Sequence, residues 1–410
     1  MRHFDVVERR HRLLARHHLA QPGPGIEEVA EDLVGLHSSD PATVVLSLRS
    51  RLDSFRVADL ENALYERRSL LRMLAMRRTM FVVPLDLAAV MQSSCAAALV
   101  PAERRKLVVL LEEAGVSDDI DGWIARLEAE TLAALAEHGT LPASKLAKVV
   151  PELATQLQVA VGKPYAGTIG LSTRLLFLMS TEGKLARGRP LGSWISSQYR
   201  WAPMEDWIGS LLPIPPAEAR AELIRRWLRS YGPGTLDDLT WWTKWTKGHV
   251  RAALTAVDAV EVTVNVGDGV PAPAWLLADD LDPAATPMDG PIVNLLPSLD
   301  PTVMGWKQRS WYLGPHAAPL FDWTGNAGPT IWVDGRAVGL WSQRADGPTR
   351  GHVVTRLLEP VERNVERRIA EQAAGLTEWM DGVRVTPRFP SALEKDLAGR
   401  VTDGRRRSSG

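Results

Sequence analysis

What this chain lacks narrows its chemistry before any motif is found. Among 410 residues there is one cysteine, Cys95, so neither an internal disulfide nor a cysteine-based metal site can be built. A cytosolic location follows as the expectation. The sequence contains no Walker loop, no Gly-x-Gly-x-x-Gly after a strand, no His-Glu-x-x-His and no paired-cysteine spacing. ATP-driven, redox and zinc-dependent functions therefore have no support, and neither metal nor cofactor is expected. Met1-Arg2-His3-Phe4-Asp5 runs into a charged helix without an apolar leader core, and no stretch is expected to approach a membrane span. Excess charge of one sign is also missing: 48 Lys and Arg against 49 Asp and Glu leave a net charge of −1. A DNA-binding domain usually carries a basic footprint, but counterion release depends on the cations in the contact surface and not on the sum. Composition neither supports nor refutes a nucleic-acid partner.

What is present is a soluble globular composition, 45% hydrophobic and 24% charged, in a chain long enough for several domains. Residues 5–20 read as a basic amphipathic helix with Arg9, Arg10, Arg12 and Arg16 beside Leu13, Leu14 and Leu19. His3, His11, His17 and His18 crowd this end without an interleaved acid and are expected at the solvated surface. Gln21-Pro22-Gly23-Pro24-Gly25 breaks the helix. A further helix around Val57, Leu60, Leu64 and Tyr65 precedes extended segments 70–76 and 79–83, joined through Arg77-Arg78. Helices are expected near 85–99, 101–114, from about 121, at 142–150 and at 168–182. The segment 183–190 has the Gly/Arg composition of a wing. Helices at 217–231, 236–242 and 247–257 lead into Val260-Glu261-Val262-Thr263-Val264-Asn265-Val266, whose strict alternation marks a half-buried strand. Trp241 and Trp245 share a helical face and are expected in the core, the alternative being a base-stacking platform.

From about residue 290 strands take over. Ile292–Leu296 and Trp311-Tyr312-Leu313 read as strands, and Asp334-Gly335 between Thr330–Val333 and Arg336–Trp341 is the strongest short hairpin signal in the chain. A late helix carries Val361, Val365 and Ile369, and Ser391 with Glu394 resembles a capping box. Arg405, Arg406 and Arg407 are expected in a disordered tail. The helix–helix–helix–strand order recurs three times, which argues for tandem winged helices and not for a solenoid; βαβ alternation, and with it a parallel sheet with crossover helices, is absent from the pattern.

The stretch with most chemistry in the smallest space is Leu33-Val34-Gly35-Leu36-His37-Ser38-Ser39-Asp40-Pro41. It joins an apolar helical face (Ile26, Val29, Ala30, Leu33, Leu36) to a second one beginning at Ala42, Val45 and Leu46. Asp40-Pro41 is an N-cap and first-turn pair, and His37 reads equally as a satisfied boundary histidine. Taken alone, the junction assigns no function.

The segment Gly35-Leu36-His37-Ser38-Ser39-Asp40-Pro41 resembles the Gly-Leu-Gln-x-Gln segment of the AlkZ/YcaQ-type winged-helix DNA glycosylases, which remove bulky alkylated bases and interstrand crosslinks. The likeness continues through Met76-Arg77-Arg78-Thr79-Met80-Phe81-Val82-Val83-Pro84, through Leu296-Pro297-Ser298-Leu299-Asp300-Pro301, and through Gly325–Arg336, in the family's order. Where the family's catalytic pair is usually Gln and Gln, or Gln and Asp, this chain has His37 and Ser39. The resemblance implies an α+β, mainly α protein of three tandem winged-helix units followed by a small C-terminal β-barrel. The corresponding boundaries are 1–116, 117–210, 211–285 and 286–400, with a basic tail at 401–410.

The function implied is hydrolysis of an N-glycosidic bond on an N7-alkylated purine, in DNA repair or genotoxin resistance. In that reading His37 orients or deprotonates water and Ser39 holds it. Asp40 balances developing positive charge unless capping occupies it. Arg72, Arg77, Arg78, Lys184, Arg187 and Arg189 are the candidate contacts to phosphate; for the first three, solvating a sheet edge is the alternative. The partner is double-stranded DNA, alkylated or crosslinked, the protein a monomer with no membrane, located in the cytoplasm or with the nucleoid. The competing classes are a DNA-binding regulator or lesion-binding factor without catalysis, and a protein-interaction module.

Overall fold

Helix starts follow local chemistry closely. In a computed structural model describing residues 1–400, apart from 161, 163–165, 268 and 283–289, seven helices begin at a side chain that accepts a first-turn N–H, the short Pro301–Met304 turn under Asp300 among them. Asp5 caps Val6–Arg16, Asp40 caps Pro41–Arg49 and Asp119 caps Ile120–His138. Thr235 caps Leu236–Thr243 in a full capping box, Thr246 caps Lys247–Ala256, and Ser391 caps Ala392–Leu397. The fold is α+β, about half helical, with several small sheets. The basic tail expected at 401–410 lies outside the described residues.

The chain divides into two compact units. One joins Met1–Arg56 to the chain from Ile224 onward, and the other is the continuous stretch Val57–Leu223.

In the first unit, Val260–Asn265 pairs antiparallel with Pro271–Leu276, Val260 facing Leu276 and Asn265 facing Pro271. His3–Phe4 adds to its other edge in parallel, His3 opposite Thr263. No crossover-helix unit underlies this pairing, since some 260 residues separate the strands in sequence. The alternating strand buries Val262 and Val264 with Phe4, Ala274 and Leu276, as its period of two requires. A second sheet holds Val293–Leu296, Thr330–Val333, Arg336–Gln343 and Val353–Leu357 in that order, all antiparallel. The hairpin at Asp334-Gly335 forms as its sequence dictates, both residues at positive φ.

The expected C-terminal barrel is not formed. Among the described residues the second sheet stays open, with Val293–Leu296 and Val353–Leu357 at opposite edges. Closure requires the two edges to meet, and the helix Arg363–Trp379 packs against both of them. The segment expected to supply another strand, Trp311-Tyr312-Leu313, is a single helical turn, Ser310–Leu313. Its three side chains are buried among Trp306 and Trp332, so an apolar triplet too short to show a period was read with the wrong one.

Two other expectations change. His17 is fully buried, not solvated: Nδ1 lies 2.8 Å from Thr302 Oγ1, and the ring stacks on Trp306 and meets Tyr231 edge-on. No local signal announces a partner 285 residues away. Of Trp241, Trp242 and Trp245, Trp242 is the buried one. Trp241 is half-buried under the Arg309 guanidinium, and Trp245 lies beyond the helix end at Thr243, where helical spacing no longer applies.

In the second unit, Leu70–Leu74 and Met80–Pro84 form an antiparallel hairpin, and its turn places Arg77 and Arg78 at positive φ. Leu107, Leu111, Ile124, Leu127, Leu146, Leu171, Leu175 and Met179 build the core. Tyr199–Pro203 pairs with Leu185–Pro190 and with Leu141–Pro142. The helical run Leu85–Ala114 corrects one further expectation. It has 30 residues and an 18-residue window of mean hydropathy 1.4, of which 39% is buried, and so is long and apolar enough to cross a membrane by length and composition. The cause is the Ala/Leu/Val-rich stretch around Cys95. Glu103, Arg104, Arg105 and Lys106 interrupt the run, and its Leu107 and Leu111 belong to the unit's core.

Candidate functional site

The junction ahead of the helix Pro41–Arg49 turns at two successive left-handed residues, Val34 at φ 50° and Gly35 at φ 95°. This double reversal closes the helix Ile26–Asp32 and sends the chain into Leu36–His37 as extended backbone. His37, Ser38 and Asp40 are buried, and Ser39 is half-buried. Three of the four polar side chains of this stretch are thus withdrawn from bulk water.

Asp40 is the cap that the sequence announces. Its Oδ1 accepts from Ala42 N at 3.1 Å, and Oδ2 accepts from Arg388 N at 2.9 Å. Burial raises its carboxyl above the usual aspartate range, and the two backbone N–H groups partly offset that rise. Arg388 Nη1 donates to the Ser39 carbonyl at 3.2 Å. Beside Asp40, a void of about 10 Å³ bounded by Thr43, Ser298 and Gln343 has room for one water.

The other landmark segments of this unit converge on the same helix. Thr43 donates to Ser298 O at 2.7 Å, and Ser298 donates to Ala327 O at 2.8 Å. Segments 296–301 and 325–330 therefore form a relay behind the start of Pro41–Arg49. At the far end of that helix, Asp300 receives Ser47 Oγ at 2.8 Å and both terminal nitrogens of Arg51, at 2.6 and 2.8 Å. Arg51 also donates to His17 O and Thr302 Oγ1. Both members of this ion pair are fully enclosed. Tyr231, stacked in the same cluster, donates to Leu33 O at 2.8 Å and so fixes the backbone just before the junction. Burial, with Arg51 nearby, lowers the His17 pKa well below its usual value, leaving a neutral ring as a hydrogen-bonding spacer. Sequence reading missed Arg51, Asp300 and Arg388 as parts of this site. Asp300-Pro301 repeats the Asp-Pro cap of Asp40-Pro41 and was the one available signal.

The six cations belong to the second unit. The hairpin's Arg72 is buried, its guanidinium over the Tyr199 ring. Arg78 grips Glu103 with two bonds of 3.0 Å and lies over Phe177, while Arg77 is half-buried in the same turn. Burial raises the Glu103 carboxyl, but hydrogen bonds from Arg78 and Lys106 outweigh it and hold the group below its usual range. Lys184 bridges Glu128 at 2.6 Å and Glu182 at 2.7 Å. Arg187 lies over Trp201 and reaches Ser180 Oγ at 2.5 Å, and enclosure pushes its guanidinium down to about 10. Arg189 pairs with Glu61 at 2.5 Å and Glu66 at 2.9 Å, above Tyr65. Arg72 and Arg187, from different strands, lie over Tyr199 and Trp201 of the single strand Tyr199–Pro203; Lys184 stands apart in an acidic clasp of its own.

In a comparison with known proteins, no curated protein matches this chain. Among solved structures, the chain is similar to Streptomyces sahachiroi DNA glycosylase AlkZ, with a TM-score of 0.69 and 19% identity over 94% of this chain and 99% of that one, a likeness of fold. A family model described as DNA glycosylase AlkZ-like matches residues 30–379, a span that begins just before the junction and holds every landmark segment. The chain belongs to the AlkZ-like DNA glycosylase family.

Proposed function

We propose that this protein is a monofunctional DNA glycosylase that hydrolyses the N-glycosidic bond of N7-alkylated purines in DNA repair or genotoxin resistance. One observation carries the reading: the family match over residues 30–379 encloses a junction most of whose polar side chains are withdrawn from water, with Tyr231 holding its backbone at Leu33 and Ser298 holding the helix that follows at Thr43. A preorganised, partly dry site is what such chemistry requires. Alkylation at N7 makes the base cationic and a good leaving group. Water then forms a bond to C1′ as the C1′–N9 bond breaks, the bonding pair leaves with the base and cancels its charge, and the water proton passes to His37 or to solvent. His37 orients or deprotonates that water, and Ser39 holds it through its hydroxyl. Asp40, whose oxygens serve the cap and Arg388 N, acts by holding the junction and by countering positive charge on the sugar.

The tandem winged-helix organisation is part of the proposal. The helix Val57–Glu61 followed by the 70–84 hairpin supports it, as does Leu171–Thr181 followed by the Leu185–Pro190 and Tyr199–Pro203 strands. Duplex DNA, alkylated or crosslinked, is the proposed substrate, met by a monomer in the cytoplasm. Arg72, Arg77, Arg78, Lys184, Arg187 and Arg189 contribute to phosphate contact, with Arg78, Lys184 and Arg189 exchanging carboxylate partners for phosphate.

The deciding experiment is release of an alkylated base from N7-alkylated duplex by wild type beside His37→Ala. His37→Ala is expected to lower release by about 10²–10⁴-fold with duplex affinity nearly intact, because a group acting only in the transition state leaves ground-state binding alone. Ser39→Ala costs less, about 0.5–1.5 kcal/mol for one neutral hydrogen bond. The replacement of the family's amides by His37 and Ser39 favours a second reading, a lesion-binding protein without catalysis. Wild type that binds duplex yet releases nothing from small and bulky adducts would establish it.

A further inference from the structure

Beyond the span matched by the family lies a strap without regular structure, residues 383–390, between the helices Arg363–Trp379 and Ala392–Leu397. It is held in one register. Val385 N donates to Gln343 Oε1 at 2.7 Å, and Gln343 Nε2 donates to Val383 O at 3.0 Å. Gln343 is itself buried at the end of the Arg336–Gln343 strand, and Val385 and Pro387 pack inward. Three residues beyond Val385, the strap reaches the junction twice: Arg388 N meets Asp40 Oδ2, and Arg388 Nη1 meets the Ser39 carbonyl.

We infer that Arg388 is a positioning residue for the His37-Ser38-Ser39 stretch, setting it through the Ser39 carbonyl. Its consequence for turnover rests on the glycosylase reading; its consequence for structure does not. A guanidinium on a carbonyl is a charge-assisted bond, stronger and more directional than a neutral one. It acts on the peptide that follows Ser39, one residue before the cap. The Asp40 bond fixes where the helix starts, and the Ser39 bond fixes how the peptide leading into it is turned. Together they leave the backbone little freedom to turn the Ser39 Cα–Cβ bond away from the water its hydroxyl would hold. The two arms are separable because the backbone N–H of residue 388 survives any replacement except proline, whereas the guanidinium does not.

The test uses the full chain with Arg388→Ala and Arg388→Lys, read by amide hydrogen exchange of residues 36–40, single-turnover base release at saturating duplex, duplex affinity and melting temperature. Arg388→Ala is expected to speed exchange at residues 36–40 and to slow base release by about tenfold each, the worth of one charge-assisted bond. Affinity is expected to hold within about twofold, and Arg388→Lys to recover part of both effects. Unchanged exchange overturns the inference whatever the activity. Faster exchange with unchanged base release overturns its role in turnover. A loss confined to affinity makes Arg388 a phosphate contact instead. Should wild type release no base, the glycosylase reading fails, and exchange in the two variants still decides the positioning. If Arg388→Ala does not fold, Arg388→Gln carries the same readouts.

Discussion

Arg51 in the first unit and Arg78 and Arg189 in the second use the same guanidinium in opposite ways. In the first, Arg51 is wholly enclosed, and all three of its nitrogens are engaged by Asp300, Thr302, Ser47 and the His17 carbonyl. In the second, Arg78 and Arg189 lie at the surface, nearly half exposed, gripping carboxylates that are themselves within reach of water in the case of Glu61 and Glu66. A buried pair left with one member is costly, because the survivor keeps its charge without its partner. An exposed pair is worth little, and its carboxylate can be traded for another anion. Cations that look alike in sequence therefore divide into those that hold the junction's scaffold and those available to a phosphate backbone.

The comparison breaks first at Asp300. Asp300→Ala is expected to destabilise the protein by about 3–5 kcal/mol, measured by urea unfolding; a loss below about 1 kcal/mol would place Arg51 in the same class as the surface arginines. Next comes pH. His17 is buried neutral with its pKa lowered, so the unfolded chain takes up a proton below about pH 6.5 that the folded chain refuses. Stability from this group is complete above that pH and falls as pH drops through it, by at most about 1.4 kcal/mol per pH unit. His17→Gln is expected to flatten the slope, and an unchanged slope would deny the ring its neutral, buried role. Glu103 acts at lower pH, since its pKa is depressed by Arg78 and Lys106 against the opposing effect of burial. The stability it lends is present above its unfolded pKa near 4.5 and is lost as pH falls through the folded value. Glu103→Gln should show a shallower acid limb in thermal unfolding. The smallest effect is Arg189→Gln, expected to change stability by less than about 1 kcal/mol. It should reduce the slope of log affinity against log salt for duplex DNA by about one. A large stability loss with an unchanged salt slope would make Arg189 a scaffold residue.

Elements governed by neighbours in sequence were legible. The caps at Asp40 and Ser391, the Asp334-Gly335 hairpin, the alternation at 260–266 and the helices at 217–231 and 247–257 were readable because each is decided within a few residues. Elements governed by distant partners were not. His17 was placed at the surface because Thr302 and Trp306 cannot be seen from residue 17. Trp311-Tyr312-Leu313 was read as a strand because three apolar residues fit either period. The barrel followed from the resemblance and that extra strand together, and from nothing that would close the edges. At the candidate site, the resemblance singled out His37 and Ser39, while Asp40 and its cap were derivable from residue type alone. Arg51 with Asp300 and Arg388 with Asp40 pair across 249 and 348 residues, and such pairings leave no mark on periodicity.

The division of the chain also has a consequence for its synthesis. Residues 57–223 form a continuous unit that interrupts the other. A ribosome therefore delivers that middle unit complete while residues 1–56 still await the strand at 263 and the carboxylate at 300. At about 5–20 residues per second, Leu13, Leu14, Val29, Val45 and Leu48, all buried in the finished protein, spend roughly 12–50 s without the rest of their unit while the next 250 or so residues are made. The wait is set by connectivity, not by any weakness of the finished core.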